Sequence, residues 1–293
     1  MQRRAHFAML LYAALISASF SIGDRITEQL HPRVLTSERF VFGAVAFAIV
    51  ARLRGDLRRP RPSDLARYAG IALTMVGFFV LMFEALRYTD AVHTGALFTV
   101  LPLMTAATAR AVVGQKTTPF QWLWMTVGAA GAASVVFDGE LERALRLELG
   151  TGEWIFLAAL SCFALYSPLV KRLHRGESAV VMTLWTLVTG LVMLVALSAT
   201  EILATDWAAV PWWAHAGVAY LGIVNTAGTF MLAKFASTRL PSAKVMAYTF
   251  LTPVFVVLLE GLLGEGWPSP ELWIGLAVTA LATVVFVTSG PKS

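Results

Sequence analysis

The side chains that could bind a small molecule are few, and they lie inside long apolar segments. Ser17, Tyr166, Asn225 and Tyr248 bring hydroxyl and amide groups into stretches of aliphatic and aromatic residues. Polar groups in such surroundings need hydrogen-bond partners and usually face the interior of a helix bundle. We therefore expect a buried cavity lined by Ser17, Phe78, Phe98, Tyr166, Trp185, Asn225, Tyr248 and Thr249. Alternatively, Asn225 joins two helices, the tyrosines pack in the core and Trp185 faces lipid.

Four ionisable residues near the ends of apolar segments are candidates for gating or coupling: Glu38, Glu84, Arg87 and Glu260. Ionisable groups are costly to bury inside membrane segments, so those that occur there usually have a functional role. Glu38 and its neighbour Arg39 open the second apolar segment, and Glu84 and Arg87 close the third. The spacing of Glu84 and Arg87 allows an ion pair on one helix. We expect either an ion-pair gate with a proton-binding carboxylate or ordinary salt bridges at the rim.

Three prolines fall within apolar segments, at Pro102, Pro168 and Pro253. Proline has no N–H, so the carbonyl group four residues earlier loses its helical partner. Those carbonyl groups belong to Phe98, Ala164 and Thr249. The prolines therefore predict kinks that expose backbone acceptors to a central cavity, and a purely structural kink is the alternative.

Enzyme motifs are absent from the sequence. It contains no phosphate-binding glycine loop, no His-Glu-x-x-His, no Gly-x-Ser-x-Gly and no cysteine pair. The five histidines are scattered, and the single cysteine, Cys162, lies in an apolar segment. We expect no catalytic residues, no metal and no cofactor, and no ATP hydrolysis by this chain alone.

The elements that must position these residues are ten apolar segments. A helix crosses the hydrocarbon core in about 20 residues, with about 17 as the lower limit. Hydrophobic residues make up 57% of the chain and charged residues 14%, against about 25% charged in soluble domains. The composition predicts an all-α membrane protein with ten transmembrane helices, near residues 7–23, 34–51, 68–86, 93–113, 120–137, 154–170, 179–198, 212–233, 245–263 and 271–288.

Charge between the segments predicts the orientation. If the N-terminus is cytoplasmic, only six of the 23 Lys and Arg face outward: Arg25, Arg33, Arg39, Arg87, Arg143 and Arg146. Short cytoplasmic loops carry the excess of Lys and Arg, so both termini are expected in the cytoplasm. The net charge of +5 then reflects loops that face anionic lipid headgroups rather than a nucleic-acid partner.

The two halves of the chain resemble each other. Residues 151 positions apart match at Pro102 and Pro253, at Pro119 and Pro270, and at Trp122 and Trp273. Five segments per copy is an odd number, so the second copy must enter the membrane upside down. We expect a first repeat over residues 1–138, an outer connecting loop over 139–153 with a short interfacial helix, and a second repeat over 154–293.

Paired stretches extend this similarity. Residues 85–91 (ALRYTDA), 101–103 (LPL) and 114–116 (GQK) are matched in the second half by residues 236–243 (ASTRLPSA), 251–253 (LTP) and 264–265 (GE). In order and spacing the chain resembles the ten-helix EamA-type permeases of the drug/metabolite transporter superfamily, over nearly its whole length. Gly114-Gln115 stands where the family pattern has Gly-Glu.

The resemblance implies a secondary transporter of the bacterial inner membrane that exports amino acids or related metabolites by alternating access. The substrate would bind in the bilayer centre between segments three, four, eight and nine, with segments one and six as gates. The expected partners are a small-molecule substrate and lipid, in a monomer or homodimer. Three alternatives stay open: proton-coupled multidrug efflux, a membrane-embedded enzyme acting on a lipid-linked substrate, and a non-transporting sensor or scaffold. The first segment lacks the central carboxylate that small multidrug relatives use, which disfavours efflux of cationic drugs.

Overall fold

The chain forms an all-helical bundle in the computed structural model, which describes residues 2–137, 140, 142, 148–237, 239–240, 242–267 and 269–289. Within these ranges there is no β-strand. Apolar residues fill the helices, and backbone groups inside a membrane can be satisfied by the helix itself. The all-α fold class predicted from composition is confirmed. The interfacial helix was predicted within residues 139–153, of which 139, 141 and 143–147 lie outside the described residues.

The helices of the first half are α1 (Gln2–Thr27), α2 (Pro32–Leu53), α3 (Pro62–Ala85), α4 (Ala91–Leu97), α5 (Leu101–Val113) and α6 (Pro119–Val136). Those of the second half are α7 (Thr151–Leu173), α8 (Ala179–Leu197), α9 (Ala199–Ala204), α10 (Trp212–Tyr220), α11 (Gly228–Ser237), α12 (Ser242–Ala247), α13 (Thr252–Leu263) and α14 (Pro270–Ser289).

Among the described residues, seven helical segments are long and apolar enough to cross a membrane: Gln2–Thr27, Pro32–Leu53, Pro62–Ala85, Ala91–Val113, Thr151–Leu173, Ala179–Leu197 and Trp212–Ala233. Two shorter apolar helical segments are Tyr248–Leu263 and Leu272–Val285. The fold is therefore that of a protein with several membrane-spanning helices.

Helix boundaries follow local sequence signals. Proline at the first position starts α2, α3, α6 and α14, where its missing N–H and fixed φ do no harm. Asp90 caps α4 by accepting a hydrogen bond from the His93 backbone N–H. Gly114 and Gly264 end α5 and α13 in the left-handed conformation, with φ of 67° and 91°, which glycine adopts without strain.

Among the described residues, three helical segments are interrupted in their interior. A 3₁₀ turn over Phe98–Val100 joins α4 to α5, and a second over Tyr248–Leu251 joins α12 to α13. Each of these turns comes directly before a helix with proline at its second position, Pro102 or Pro253. A π-helical turn over Leu221–Ala227 joins α10 to α11. Such turns inside α-helices frequently occur at functional sites.

Packing between the halves brings α3 against α7, α1 against α11 and α13, and α6 against α14. The Phe20 ring packs edge-on against Phe98 and Phe156, with ring centres 5.4 and 5.9 Å apart. One end of the bundle carries the loop of residues 54–61 with its four arginines, and we call it the Arg-rich end. The interrupted segments and the rings of Phe20, Phe98 and Phe156 lie between the Arg-rich end and the opposite end of the bundle.

Candidate functional site

A cavity of about 260 Å³ lies in the interior of the bundle, and we call it the central cavity. Helices from both halves of the chain contribute to its wall. Its aromatic and methionine lining consists of Tyr12, Phe20, Met75, Phe78, Phe79, Met82, Phe98, Phe163, Tyr166 and Phe230. Its polar lining consists of Ser19, Arg39, Thr183, Asn225, Thr226 and Thr229. Small-molecule sites typically combine a largely apolar wall with a few polar groups in this way.

Stacked aromatic rings form one side of the central cavity. The Phe78 and Phe163 rings are nearly parallel, with centres 4.3 Å apart and planes inclined at 16°. The Phe163 ring also stacks on Tyr166 at 5.8 Å and on Phe98 at 6.2 Å. Such rings offer a flat apolar surface with a negative face, which suits an apolar or aromatic body.

Arg39 brings a positive charge into the central cavity. Arg39 lies seven residues after the start of α2 and is only 3% exposed. Its guanidinium carbon lies 4.1 Å from the centre of the Phe79 ring. The Nε and Nη1 atoms are buried and have no hydrogen-bond partner among the described residues. A buried cation without a carboxylate is costly in a membrane segment, so this side chain is a candidate for binding an anion.

Sequence reasoning missed this role, because it placed Arg39 with Glu38 at the entrance of the segment. Adjacent residues on a helix point about 100° apart. Glu38 accordingly turns away from the cavity, and its Oε1 lies 2.8 Å from Nδ1 of His215 on α10. The signal available in the sequence was Pro32, which starts α2 and places Arg39 about two turns inside the helix.

Asn225 lies in the π-helical turn and anchors it to α1. Its amide nitrogen donates to Ser19 Oγ at 2.7 Å and to the backbone carbonyl oxygen of Leu15. Asn225 is 3% exposed and lines the central cavity. Asn225 therefore lies in the cavity wall and also links two helices, so the two positions considered from the sequence do not exclude each other.

The structure brings four of the eight predicted lining residues to the central cavity: Phe78, Phe98, Tyr166 and Asn225. The other four are not part of its wall: Ser17, Trp185, Tyr248 and Thr249. Ser17 Oγ donates to the carbonyl oxygens of Ala13, at 2.8 Å, and of Thr252, at 3.0 Å, which ties α1 to α13.

Two of the predicted lining residues that are not in the cavity wall, Trp185 and Tyr248, lie towards the Arg-rich end. Trp185 Nε1 donates to the carbonyl oxygen of Arg58 at 3.2 Å, so its ring is in the second turn of α8 beside that loop. The Tyr248 hydroxyl group lies 2.7 Å from His6 Nδ1. Thr249 is buried next to Tyr248 in the 3₁₀ turn.

The prediction that the prolines free carbonyl groups for the cavity is wrong at two positions. The Phe98 carbonyl oxygen accepts a hydrogen bond from Leu101 N–H, and the Thr249 carbonyl oxygen accepts one from Thr252 N–H. The chain satisfies both groups by tightening to a 3₁₀ turn, which pairs residues three apart.

The freed carbonyl group before Pro168 is satisfied by a side chain instead. Pro168 lies inside α7. Thr108 Oγ1 on α5 donates to the Ala164 carbonyl oxygen at 2.6 Å. Hydroxyl groups of neighbouring helices are a known means of repairing such a break. This contact ties α5 to α7 and leaves no open acceptor at Ala164.

A second cavity, of about 520 Å³, lies between α5, α6, α7 and the 3₁₀ turn before α13. Gln115, Lys116 and Lys171 line it, together with Pro102 and Pro168. Lys171 Nζ donates to Gln115 Oε1 at 3.4 Å. Lys116 and Lys171 lie near the ends of α5 and α7, which places this cavity towards the Arg-rich end.

Ionic contacts hold the Arg-rich end together. Arg67 donates to Asp64 at 2.9 Å, to Glu177 at 2.6 Å and to the Leu173 carbonyl oxygen at 2.5 Å. Burial acts to raise the pKa of Glu177, but the backbone N–H groups of Glu177 and Arg175 and the Arg67 guanidinium outweigh it. The pKa of Glu177 therefore lies below its ordinary value. These contacts join α3 to the loop after α7.

The opposite end carries the four predicted gating or coupling residues. Glu84 and Arg87 pair at 3.2 Å within one segment and are 29% and 44% exposed. Glu38 contacts His215 across two helices. Glu260 is 8% exposed, and its Oε1 has no hydrogen-bond partner among the described residues. Two further ion pairs, Arg25–Glu265 and Arg33–Glu201, lie at 2.8 and 2.7 Å on this end.

Comparison with known proteins agrees with this geometry. A profile of the EamA-like transporter family matches residues 3–137 and 150–288. A Bacillus subtilis protein named as an uncharacterized transporter, YyaM, is 22% identical over 264 residues, covering 88% of this chain and 86% of that protein. A probable terminal-alkyne amino-acid exporter from Streptantibioticus cattleyicolor is 28% identical over 246 residues, covering 83% and 80%.

A solved crystal structure shares the fold. It has a TM-score of 0.69 and 21% sequence identity, and the match covers 99% of this chain and 98% of that chain. At this level of identity the likeness concerns the arrangement of helices alone.

Proposed function

Since the chain belongs to the EamA-like transporter family, we propose that it exports amino acids or related metabolites across a bacterial inner membrane by alternating access. It is a multi-pass membrane protein and a transporter rather than an enzyme. The single observation that carries the proposal is the central cavity, which is walled by helices of both matched segments.

The size of the central cavity favours a small metabolite. At about 260 Å³ it falls below the roughly 300–1,000 Å³ of pockets that hold drug-sized ligands. Among the described residues, the wall contains one cation, Arg39, and no carboxylate. Both properties favour an amphipathic metabolite over a bulky cationic drug, so multidrug efflux is the weaker alternative. The name of the Streptantibioticus relative, a probable amino-acid exporter, supports the same class.

Paired features of the two halves support ten spans in two inverted repeats, over residues 1–138 and 154–293. The 3₁₀ turns before Pro102 and Pro253 correspond, as do the left-handed glycines that end α5 and α13. Contacts correspond as well: α3 packs on α7 as α1 packs on α11, and α4 meets α6 and α13. Inverted repeats that enclose a central site are typical of alternating-access transporters.

Access would alternate between the two ends. The Arg67 contacts would close the Arg-rich end, which we place in the cytoplasm together with both termini. Glu38, Glu84, Arg87 and Glu260 would form the opposite, outer gate. Of these, Glu260 is the best candidate for proton coupling, because it is 8% exposed and has no ion pair among the described residues, whereas Glu38, which also has one unpartnered oxygen, contacts His215. The protein would act as a monomer or homodimer.

Counterflow in proteoliposomes tests the proposal. Vesicles preloaded with one unlabelled amino acid of a panel should accumulate the same radiolabelled amino acid transiently and saturably. Protein-free vesicles and vesicles with heat-denatured protein provide the background. If no amino acid or related carboxylate exchanges above that background, the proposed function is wrong.

A further inference from the structure

The guanidinium group of Arg39 is a buried cation inside the bundle. A rise of about 1.5 Å per residue places it roughly 10 Å inside the end of α2. No carboxylate lies within ion-pair distance of it among the described residues, and Nε and Nη1 have no hydrogen-bond partner. Arg39 nevertheless lines the central cavity. A charge in this position is retained when it has a role that a neutral side chain cannot fill.

Phe79 compensates only one face of the guanidinium group. The ring lies over that face at 4.1 Å, where its quadrupole attracts the cation. The N–H groups lie in the plane of the guanidinium and cannot be satisfied by a ring below it. Two parallel N–H groups of arginine match the two oxygens of a carboxylate. A planar anion such as a carboxylate therefore matches the chemistry of these donors.

We propose that Arg39 binds the carboxylate of an α-amino acid whose apolar or aromatic side chain lies against the Phe78–Phe163 stack. This inference rests on the proposed function and adds the ligand class and the residue that recognises it. The aromatic rings supply the apolar wall. The described part of the lining contains no acidic residue, which disfavours a ligand with a net positive charge.

Asn225 supplies a group for the amino end of such a ligand. Its amide N–H groups are used by Leu15 and Ser19. Its carbonyl oxygen has no protein donor among the described residues and lies on a residue of the cavity wall. An ammonium group has N–H donors and no acceptor, so it matches this oxygen. The ligand would thus be held at both ends of its zwitterionic group.

Matched probes separate recognition of the carboxylate from recognition of the ring. L-Phenylalanine and phenethylamine share the ring and the amino group, but phenethylamine lacks the carboxylate. In reconstituted full-length protein, L-phenylalanine should compete for counterflow at least about tenfold better than phenethylamine, because a charge-assisted hydrogen bond is lost in the amine. Equal competition by the two probes would overturn the inference and leave the transport function intact.

The Arg39→Gln variant tests the residue itself, with Arg54→Gln as the control. Arg54 follows the last turn of the same helix, α2, and is exposed. In Arg39→Gln the preference for L-phenylalanine over phenethylamine should fall below about threefold, and Arg54→Gln should keep it. A ratio between two probes does not depend on how much active protein a preparation contains. A preference retained by Arg39→Gln would exclude the proposed contact.

Thermal unfolding in detergent distinguishes a binding role from a structural one. Removing an unpaired buried charge should leave the unfolding temperature of Arg39→Gln unchanged or raise it. L-Phenylalanine should stabilise wild-type protein and Arg54→Gln but not Arg39→Gln. A lowered unfolding temperature in the variant would assign Arg39 a structural role and refute the inference. Wild-type protein that neither binds nor exchanges any amino acid would refute the proposed function as well.

Discussion

The Arg39 guanidinium carbon lies 4.1 Å from the centre of the Phe79 ring and 6.0 Å from that of Phe83. Two residues of α3 thus hold a cation of α2 at the wall of the central cavity. Because a ring attracts the cation without consuming its N–H donors, the guanidinium is oriented and still available to a ligand. This arrangement makes Phe79 part of the proposed binding site.

Substituting Phe79 should weaken ligand binding by releasing the guanidinium. We expect Phe79→Leu to raise the half-saturating concentration of L-phenylalanine about fivefold, equivalent to about 1 kcal/mol. Phe156→Leu, which removes a buried ring outside the cavity wall, serves as the control and should leave that concentration unchanged. The measurement is concentration-dependent counterflow. Equal effects in the two variants would show that the loss reflects general packing.

The Phe78–Phe163 stack should determine preference for aromatic side chains. Phe163→Ala removes one ring of a pair whose centres lie 4.3 Å apart. Aromatic pairs contribute about 0.5–1.5 kcal/mol beyond the area they bury. We therefore expect competition by L-phenylalanine to weaken several-fold more than competition by L-alanine. The two amino acids can be compared as competitors in one counterflow assay, and a parallel loss for both would contradict a side-chain contact at this ring.

Ser17 was predicted to line the cavity, but its hydrogen bonds indicate a structural role that a substitution can test. Its hydroxyl group links α1 to the Thr252 carbonyl oxygen and is not in the cavity wall. Ser17→Ala should lower the free energy of unfolding by about 1 kcal/mol, the typical value of one hydrogen bond, without changing the half-saturating substrate concentration. Ser161→Ala, whose hydroxyl group bonds only within α7, should cost less. A change in substrate concentration dependence would place Ser17 in the binding site after all.

The extent of the helices was predictable from sequence because hydrophobic length and proline signals are local. The segment predicted over 34–51 is α2, Pro32–Leu53. The direction of individual side chains was not predictable. Glu38 and Arg39 are adjacent and were assigned to one entrance, but the helix turns Glu38 to His215 and Arg39 to the cavity. Hydropathy along the sequence predicts how deep a residue lies in the membrane. The direction in which its side chain points depends on the neighbouring helices.

The proline carbonyl groups show a second limit. Counting four residues back from Pro102 and Pro253 assumes α-helical hydrogen bonding throughout. The chain adopts 3₁₀ turns there, which pair residues three apart and satisfy Phe98 and Thr249. Pro168 lacks such a turn and relies on Thr108 from a distant part of the chain. Contacts of that kind cannot be inferred from spacing along one helix.

The Arg67–Glu177 ion pair should make stability depend on acid pH. The pKa of Glu177 is lowered in the folded protein, so folding favours its charged form. Its contribution is fully present above the ordinary value of 4.5 and is lost as the pH falls through the lowered pKa. Glu177→Gln should therefore flatten the loss of unfolding temperature below about pH 4.5, and the exposed Glu28→Gln should not. If the unfolding temperature of Glu177→Gln fell at acid pH as steeply as that of the wild-type protein, this carboxylate would not stabilise the Arg-rich end.

The contact between α6 and α14 should tolerate no side chain at Gly275. A Cβ atom built there would lie 2.6 Å from the backbone oxygen of Gly131 and 3.0 Å from Ser134 Cβ. Backbone cannot yield as a flexible side chain can, so Gly275→Ala must push the two helices apart. Overpacking of this kind costs about 1–3 kcal/mol.

Gly70→Ala is the matched control for this prediction, because a Cβ atom at Gly70 of α3 would meet nothing within 4 Å. Alanine has the higher helix propensity, so Gly70→Ala should leave the unfolding temperature unchanged or raise it. Thermal unfolding of both variants in the same detergent measures the difference. If Gly275→Ala were as stable as Gly70→Ala, α6 and α14 would not approach this closely in the membrane.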